Sequence, residues 1–444
     1  MANSPFSRRT FLGAGAAALA SQALPLRGQG VSPNSELRTA HIGVGGMGWS
    51  DLRSVASHPA VEVAALCDVD AERLQRAKNA HTAAREFVDF RELIAAMGDQ
   101  VDAVVVSTPD HTHAPAAMTA LRAGKPVYCQ KPLTHDIDEA RRLADAAGER
   151  NLPTQMGIQI HSAGVYRQAR EILRSGVLGK VRRIDCWCNK GWGYEGGTIT
   201  GRQPPPASLA WDLWLGTADW RPYAAKHYHP AAWRRLVDFG TGTLGDMGVH
   251  ILDTPYAALG LTAPVSVTAA CRPPTGVGHP SQVEVRWEFP GTDLTSDPLT
   301  CVWRDGGLAP PTLDDAALPR GFELPPAGSF VSGEEGGMLL PHIGAARLFP
   351  EQKFASYQAP EVESIDHYHE WVDACRGASQ TSAPFSYGGA LTEALLVGVV
   401  ATRFPGQTLA WDAERMRFTD VEEANGLIRR TYRDAFGVEG LSGG

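Results

Sequence analysis

A chain of 444 residues, 43% hydrophobic and 20% charged, is long enough for two or three domains whose cores need no covalent staples. Its formal charge of −8 excludes the electrostatic footprint of a nucleic-acid binder or of a protein drawn to an anionic membrane surface. Seven cysteines without Cys-x-x-Cys or Cys/His ligand spacing give no basis for a metal site, and they read as mostly buried thiols.

Residues 1–36 open with Ser7-Arg8-Arg9-Thr10-Phe11-Leu12, followed by a small-residue apolar stretch from Gly13 to Ala20 and a linker containing Ser, Gln, Pro, Gly and Asn. This is the form of a twin-arginine signal, an address read by an export receptor that carries folded chains. The expected location is therefore periplasmic or secreted. Ala18-Leu19-Ala20 fits a signal-peptidase site, the alternative being an uncleaved anchor. After the leader no apolar run approaches the ~20 residues that span a bilayer, so no stable membrane insertion is expected.

Residues 37–156 alternate short apolar strands with helices of about ten residues, the pattern of βαβ units on a parallel sheet. Strands are expected up to Val44, over Val61–Leu66, over Val101–Val106 before Ser107-Thr108-Pro109, and over Val127–Cys129. Helices are expected over Met47–Ser57, Ala71–Ala80, Ala114–Ala123 and Ile137–Arg150. From 157 to 444 the character changes. A helix near Val165–Leu173 precedes longer alternating strands near Val181–Asn189, Val265–Arg272 and Val283–Phe289, which indicate a mostly antiparallel sheet in an α+β domain. Between the first two strands lies a loop-rich insertion. Six tryptophans fall between Trp187 and Trp233, and their flat faces suit either interior packing or the apolar faces of sugar rings. Residues 305–350 are rich in Gly and Pro and resist assignment, while His367–Phe404 reads as two helices.

Three stretches carry chemistry. The first is Gly43-Val44-Gly45-Gly46-Met47-Gly48 between strand and helix. Gly43 permits the tight turn, Gly45 lets backbone approach a pyrophosphate, and Gly48 lets the helix pack on the strand. Gly46 and Met47 lead into the helix, whose N-terminus faces the phosphates. Asp68 ends the next strand, where an acid accepts from ribose hydroxyls. No Arg or Lys follows before Arg73, which favours NAD over NADP. The second stretch is Gln130-Lys131-Pro132, at the carboxyl end of a parallel strand where open α/β sheets bind ligands. The third is Asp246-Met247-Gly248-Val249-His250, whose i, i+4 spacing stacks carboxylate and imidazole on one helix face, with Asp253 continuing it. Read alone, Asp246 could equally cap that helix and His250 fill a core. Gln159 and His161 are weaker cleft candidates.

Together these stretches resemble the glucose–fructose oxidoreductase, inositol dehydrogenase and rhizopine-catabolism (Gfo/Idh/MocA) family, from about Leu37 to Arg433. The resemblance implies a Rossmann domain plus a domain with an open, predominantly antiparallel sheet, and an active site between them. Thr108-Pro109-Asp110 with His113 is similar to the family's Thr-Pro-Asn segment and histidine beside the cofactor, which follows Ser107. Lys131 matches the lysine of its Glu-Lys-Pro motif, and Asp246 and His250 match its catalytic acid and histidine. The sequence departs from the family at Gln130, where Glu is usual; an amide still hydrogen-bonds a ribose hydroxyl but removes a charge beside Lys131. Asp110 in place of Asn is a milder departure.

The implied reaction is hydride exchange between NAD and a secondary hydroxyl of a carbohydrate or cyclitol. His250 suits the base, Lys131 stabilises the oxygen or shares the proton, and Asp246 orients the hydroxyl or His250; the sequence does not choose between Lys131 and His250 as base. Because no nicotinamide pool is expected outside the cytoplasm, a tightly held cofactor is anticipated. Two alternatives stay open: a redox-neutral NAD-dependent glycosidase, and a non-catalytic sugar-binding protein retaining a nucleotide. A dimer or tetramer is expected from the resemblance.

Overall fold

The computed structural model describes residues 36–308, 318–319 and 321–441, so the expected twin-arginine leader lies outside the described residues. The first half is built as β1 (Leu37–Ile42), α1 (Met47–Ala56), β2 (Val61–Cys67), α2 (Ala71–Ala80), β3 (Arg85–Phe87), α3 (Phe90–Met97), β4 (Ala103–Val106), α4 (Asp110–Arg122), β5 (Val127–Gln130), α5 (Ile137–Arg150) and β6 (Thr154–Gly157). The six strands form one parallel sheet in the order β3-β2-β1-β4-β5-β6. Val104, Val106, Val127 and Cys129 are fully buried, as strands covered by helices on both faces require. Order reverses between β1 and β4, and a ligand crevice opens there at the strands' carboxyl ends.

The second half runs through α6 (Gly164–Arg174), β7 (Val181–Cys188), α7 (Trp211–Leu215), α8 (Gly242–Leu259), β8 (Ser266–Ala270), β9 (Glu284–Phe289), β10 (Thr295–Arg304), β11 (Ala327–Gly333), β12 (Gly337–Pro341), β13 (Arg347–Phe349), α9 (His367–Cys375), α10 (Phe385–Ala401), β14 (Thr408–Asp412) and β15 (Arg417–Phe418). Its nine strands lie in the order β13-β12-β11-β7-β10-β9-β8-β14-β15. All pairings are antiparallel except β7 with β10, so the sheet is mixed and mostly antiparallel. The helices α8 and α10 lie on it, with Leu244, Leu395 and Trp287 packed in one core.

The chain then returns to the first half. On α9, Trp371, Val372 and Cys375 pack with Leu37, Val55 and Tyr128. Further on, Tyr432 donates to Glu139 on α5 at 2.5 Å. The two halves therefore share buried contacts well beyond the crossover at β6. All seven cysteines are free thiols, six of them buried.

Candidate active site

The crevice begins at the glycine turn. Gly43 has φ +82° and Gly46 +58°, left-handed backbone that glycine adopts without strain. A Cβ on Gly48 would sit 2.0 Å from the Gly43 carbonyl oxygen, so α1 can lie this close to β1 only without a side chain there. No side chain caps α1, which leaves its first-turn N–H groups and positive dipole end for an anion. This cradle fits a dinucleotide pyrophosphate. Asp68 closes it from β2, its two oxygens accepting from Val44 N and Asp70 N at 2.9 Å each. A carboxylate has lone pairs left for ribose hydroxyls.

Arg73 is the cation that sequence spacing passed over. Its Nε donates to Asp70 Oδ2 at 3.1 Å, and its guanidinium lies where a Cβ on Gly45 would fall, at 2.1 Å from Nη1. One turn of α2 carries it back over the glycine loop, beside the place a phosphate would take.

Gly43, Gly45, Gly46, Met47, Asp68, Ser107, Thr108, Pro109, His113, Gln130, Lys131 and Asp246 all line one cleft; Gly48 packs behind the turn, and His250 lies outside that lining. The ring nitrogens of His113 meet the Pro132 and Thr108 carbonyl oxygens at 2.9 Å each. Its imidazole thus braces the β4 and β5 turns against each other.

At the other end of the cleft the two halves meet. Lys131 Nζ donates to Asp246 Oδ1 at 2.7 Å and to the Asp246 carbonyl at 2.8 Å. Asp246 sits in the second turn of α8 and does not cap it. Its other oxygen accepts from Trp192 Nε1 at 2.9 Å, and Arg234 Nε stands 3.6 Å from Oδ1. Burial alone would raise this carboxyl, but the Lys131 ammonium and then Arg234 hold it well below the usual carboxylate range. One helical turn on, burial followed by the Lys131 charge pushes His250 well below the usual histidine value. Its imidazole is therefore neutral at neutral pH, and its Nδ1 is buried without a partner among the described residues.

Two groups here carried no sequence signal. His342, just beyond β12, brings its ring centroid within 5.5 Å of that of His250, and its Nδ1 is likewise unpartnered. Lys190, just past β7, places Nζ 3.5 Å from Met247 Sδ, and its charge acts on both imidazoles. Only the folded sheet brings these strand ends to α8.

His161 is buried away from the cleft. Its Nδ1 meets Asp253 at 2.8 Å, and Tyr387 donates to the same carboxylate at 2.6 Å. The face begun by Asp246 and His250 thus ends in an internal polar network, and Gln159 is spent on Tyr128 and Tyr368 at 3.4 and 3.0 Å.

The tryptophan-rich insertion is a strap. Trp211, Trp214, Tyr223, Tyr228, Trp233 and Phe239 form their own core, with Trp211 and Trp214 stacked at 5.0 Å. It is pinned to the first half by Ala71 N on Ser208 O and Ala210 N on Val69 O, 2.8 Å each. His229 Nε2 meets Asp70 Oδ2 at 2.9 Å. Trp214, His229 and Trp233 line the same cleft as Asp68 and Arg73, so the strap forms part of its wall.

Family models match in two stretches. Residues 37–158 match an oxidoreductase family with an NAD-binding Rossmann fold, and residues 164–288 match the C-terminal alpha/beta domain of that family. Among curated relatives, the rhizopine catabolism protein MocA of Rhizobium meliloti is 30% identical over 154 residues, 34% of this chain and 47% of that protein. An inositol 2-dehydrogenase of Rhodococcus erythropolis is 34% identical over 159 residues, 35% of this chain and 45% of the relative. The chain spans under half the length of these relatives. Among solved structures, the WlbA dehydrogenase from Bordetella pertussis, in complex with NADH and UDP-GlcNAcA, superposes with a TM-score of 0.60 at 17% identity, covering 85% of this chain and 99% of that one. An NAD-binding protein from Listeria innocua gives 0.59 at 18% identity, covering 85% and 99%. These likenesses show the fold. With both of its domains matched over more than half of its length, the chain belongs to the Gfo/Idh/MocA oxidoreductase family and carries that family's NAD-binding Rossmann domain.

Proposed function

We propose that the protein is an exported NAD-dependent oxidoreductase acting on a secondary hydroxyl of a sugar, glycoside or cyclitol. The observation that carries this reading is the Lys131–Asp246 ion pair in the lining of a nucleotide cleft, with a neutral His250 one helical turn beyond Asp246. NAD, when bound, supplies the hydride acceptor. Gly45, Gly46 and Met47 would hold its pyrophosphate, with Arg73 as counter-charge, and Asp68 a ribose. Neutral His250 takes the hydroxyl proton. Lys131, fixed by two oxygens of Asp246, stabilises the developing alkoxide as a cation, which leaves the base role to His250.

Export follows from the twin-arginine leader, and a cofactor held through turnover is supported by the strap. The same strap favours a second reading, a redox-neutral cycle of oxidation, elimination and reduction on a glycoside, since a captive cofactor must be restored in place. A homo-oligomer would assemble through the sheet face that α8 and α10 leave open.

The test is to isolate mature protein from the periplasm, measure bound nicotinamide, and offer a panel of sugars and glycosides. Reduced nicotinamide with a keto-sugar product supports the first reading. Cleavage of a chromogenic glycoside without net reduction selects the second. Protein that neither binds NAD nor reduces it with any sugar overturns both.

A further inference from the structure

The departure at Gln130 has a structural partner. On α1, one turn past Gly48, Asp51 is fully buried beneath the cleft floor. Gln130 Nε2 donates to Asp51 Oδ1 at 3.0 Å and to Oδ2 at 2.9 Å. Ser107 Oγ donates to Oδ2 at 2.6 Å and Tyr368 OH to Oδ1 at 2.9 Å. Both Ser107 and Gln130 line the cleft, whereas Asp51 does not. Three donors from the β4 turn, the end of β5 and α9 thus converge on one carboxylate that has no cation against it among the described residues.

A carboxylate only accepts hydrogen bonds, so the end of the Gln130 amide that faces it must be the NH2 end. The carbonyl Oε1 then points the other way, where it accepts from Lys131 N at 3.3 Å. A glycine permits this placement: a Cβ on Gly157 would fall 2.8 Å from Gln130 Nε2. The acid usual at position 130 has in effect moved one layer down, onto α1.

We propose that Asp51 is a positioning residue for the cofactor, its carboxylate fixing the Gln130 amide so that an acceptor oxygen faces the cleft as a glutamate's would. The proposal rests on the family's NAD-binding domain and is independent of which substrate is oxidised.

The groups facing Asp51 are Ser107 and Gln130, Tyr128 and Cys129 on β5, and Tyr368 on α9. Burial raises the pKa of Tyr128, Cys129 and Tyr368, so all three stay neutral. His369 of α9 lies farther along, where its Nε2 meets Ser57 Oγ past the end of α1. Burial lifts Asp51 itself to about 6, against the three donors that pull it down. Protonation near that pH gives the acid a donor of its own and releases the amide from its fixed sense.

The experiment is NAD titration of the apoprotein, with unfolding temperature read in parallel. In D51N the asparagine NH2 faces Gln130, the glutamine amide turns over, and its NH2 end enters the cleft. NAD affinity should fall about tenfold, while the unfolding temperature holds or rises because a buried charge is gone. Q130E alone sets two carboxylates in contact, and its affinity should fall more at pH 8 than at pH 5.5, where the pair can share a proton. D51N/Q130E, with the acid back at 130 and an amide at 51, should bind NAD within about threefold of wild type. Wild-type affinity in D51N, or a double variant no better than D51N, overturns the proposal. Should D51N fail to fold, the opposite pH trends of Q130E and wild type decide it, and equal trends overturn it. Sugar turnover is read separately, so a protein that binds NAD as described but oxidises nothing would count against the proposed function alone.

Discussion

At the scale of single residues, the proposed function gives different work to two basic groups. Lys131 is an ammonium held by two oxygens of Asp246, and His250 is a neutral ring with a buried, unpartnered nitrogen. Lys131→Met should lower the rate of cofactor reduction by about 10²–10³-fold, the usual loss for one charged stabiliser of a developing oxyanion. NAD affinity, measured by fluorescence titration, should change little, and Arg234 remains as a partner for Asp246. For His250 the expectation concerns pH. Burial sets its folded pKa far below the unbonded value, so it stays a competent base on acidification. At saturating NAD, wild-type kcat should stay level from pH 8 to pH 6, whereas His250→Asn should be slower by about 10²-fold or more across that range. A wild-type rate falling with an apparent pKa near that of a free histidine would show that another base operates. Gly43 and Gly48 could be read from local spacing, whereas Lys131, Asp246 and His250 stand out in the sequence only through the family resemblance, since spacing alone fits a surface lysine, a helix cap and a core histidine equally well. Asp51, Arg73, Lys190 and His342 could not be read either way, since their roles come from packing across elements. The missing acid at 130 was the one trace that Asp51 left.

At the scale of elements, the parallel strands of the first half were legible from their apolar runs, while β11 and β12 were not. Their glycines hide them: Gly328 would put a Cβ 2.6 Å from the Leu340 carbonyl oxygen, and Gly337 one 2.3 Å from the Phe330 ring. Close backbone approach demands glycine there, and glycine is what makes a strand read as a loop. The short β3 and the capped α3 were passed over for a different reason, lacking a run of apolar residues long enough to register. The strap was visible as a tryptophan cluster, but its direction was not, because the contacts that aim it involve residues over a hundred positions away. Its hydrogen bond between His229 and Asp70 has both side chains largely buried, at 15% and 11% exposure, so it is better insulated from solvent than a surface contact. His229→Ala should leave the unfolding temperature within a few degrees, since the aromatic core of the strap is untouched. It should speed NAD release by about fivefold, equivalent to roughly 1 kcal/mol of closure. Stopped-flow displacement of bound NAD measures this; an unchanged release rate would mean that the strap does not retain the nucleotide through this contact.

At the scale of the whole molecule, stability should depend on a set of buried imidazoles. His41 and His279 are pushed down to about 3 and His367 to about 4, chiefly by burial. Burial also lowers His111, His113 and His250. In the unfolded chain each takes a proton below its ordinary value near 6.5, and in the folded chain it does not. Stability is therefore complete above that value and falls as pH drops through it, by about 1.4 kcal/mol per pH unit for each such histidine. Five buried acids oppose this, burial raising Asp68, Asp110 and Glu139 as well as the two strongest cases. Asp305 and Asp51, raised by burial to about 7 and about 6, take protons in the folded state first, which adds stability as pH falls toward their unfolded value. The six histidines outnumber the five acids, and burial lowers His58, His81, His227 and His342 too, so the net effect between pH 6.5 and 5 is loss. The urea midpoint of the apoprotein should therefore be flat from pH 8 to 7 and fall clearly by pH 5.5. A midpoint that held or rose over that interval would mean that these rings are hydrated or charged in the folded protein. The assignment of His250 as a neutral base would then fail with the rest, because the same exclusion of water lowers all six.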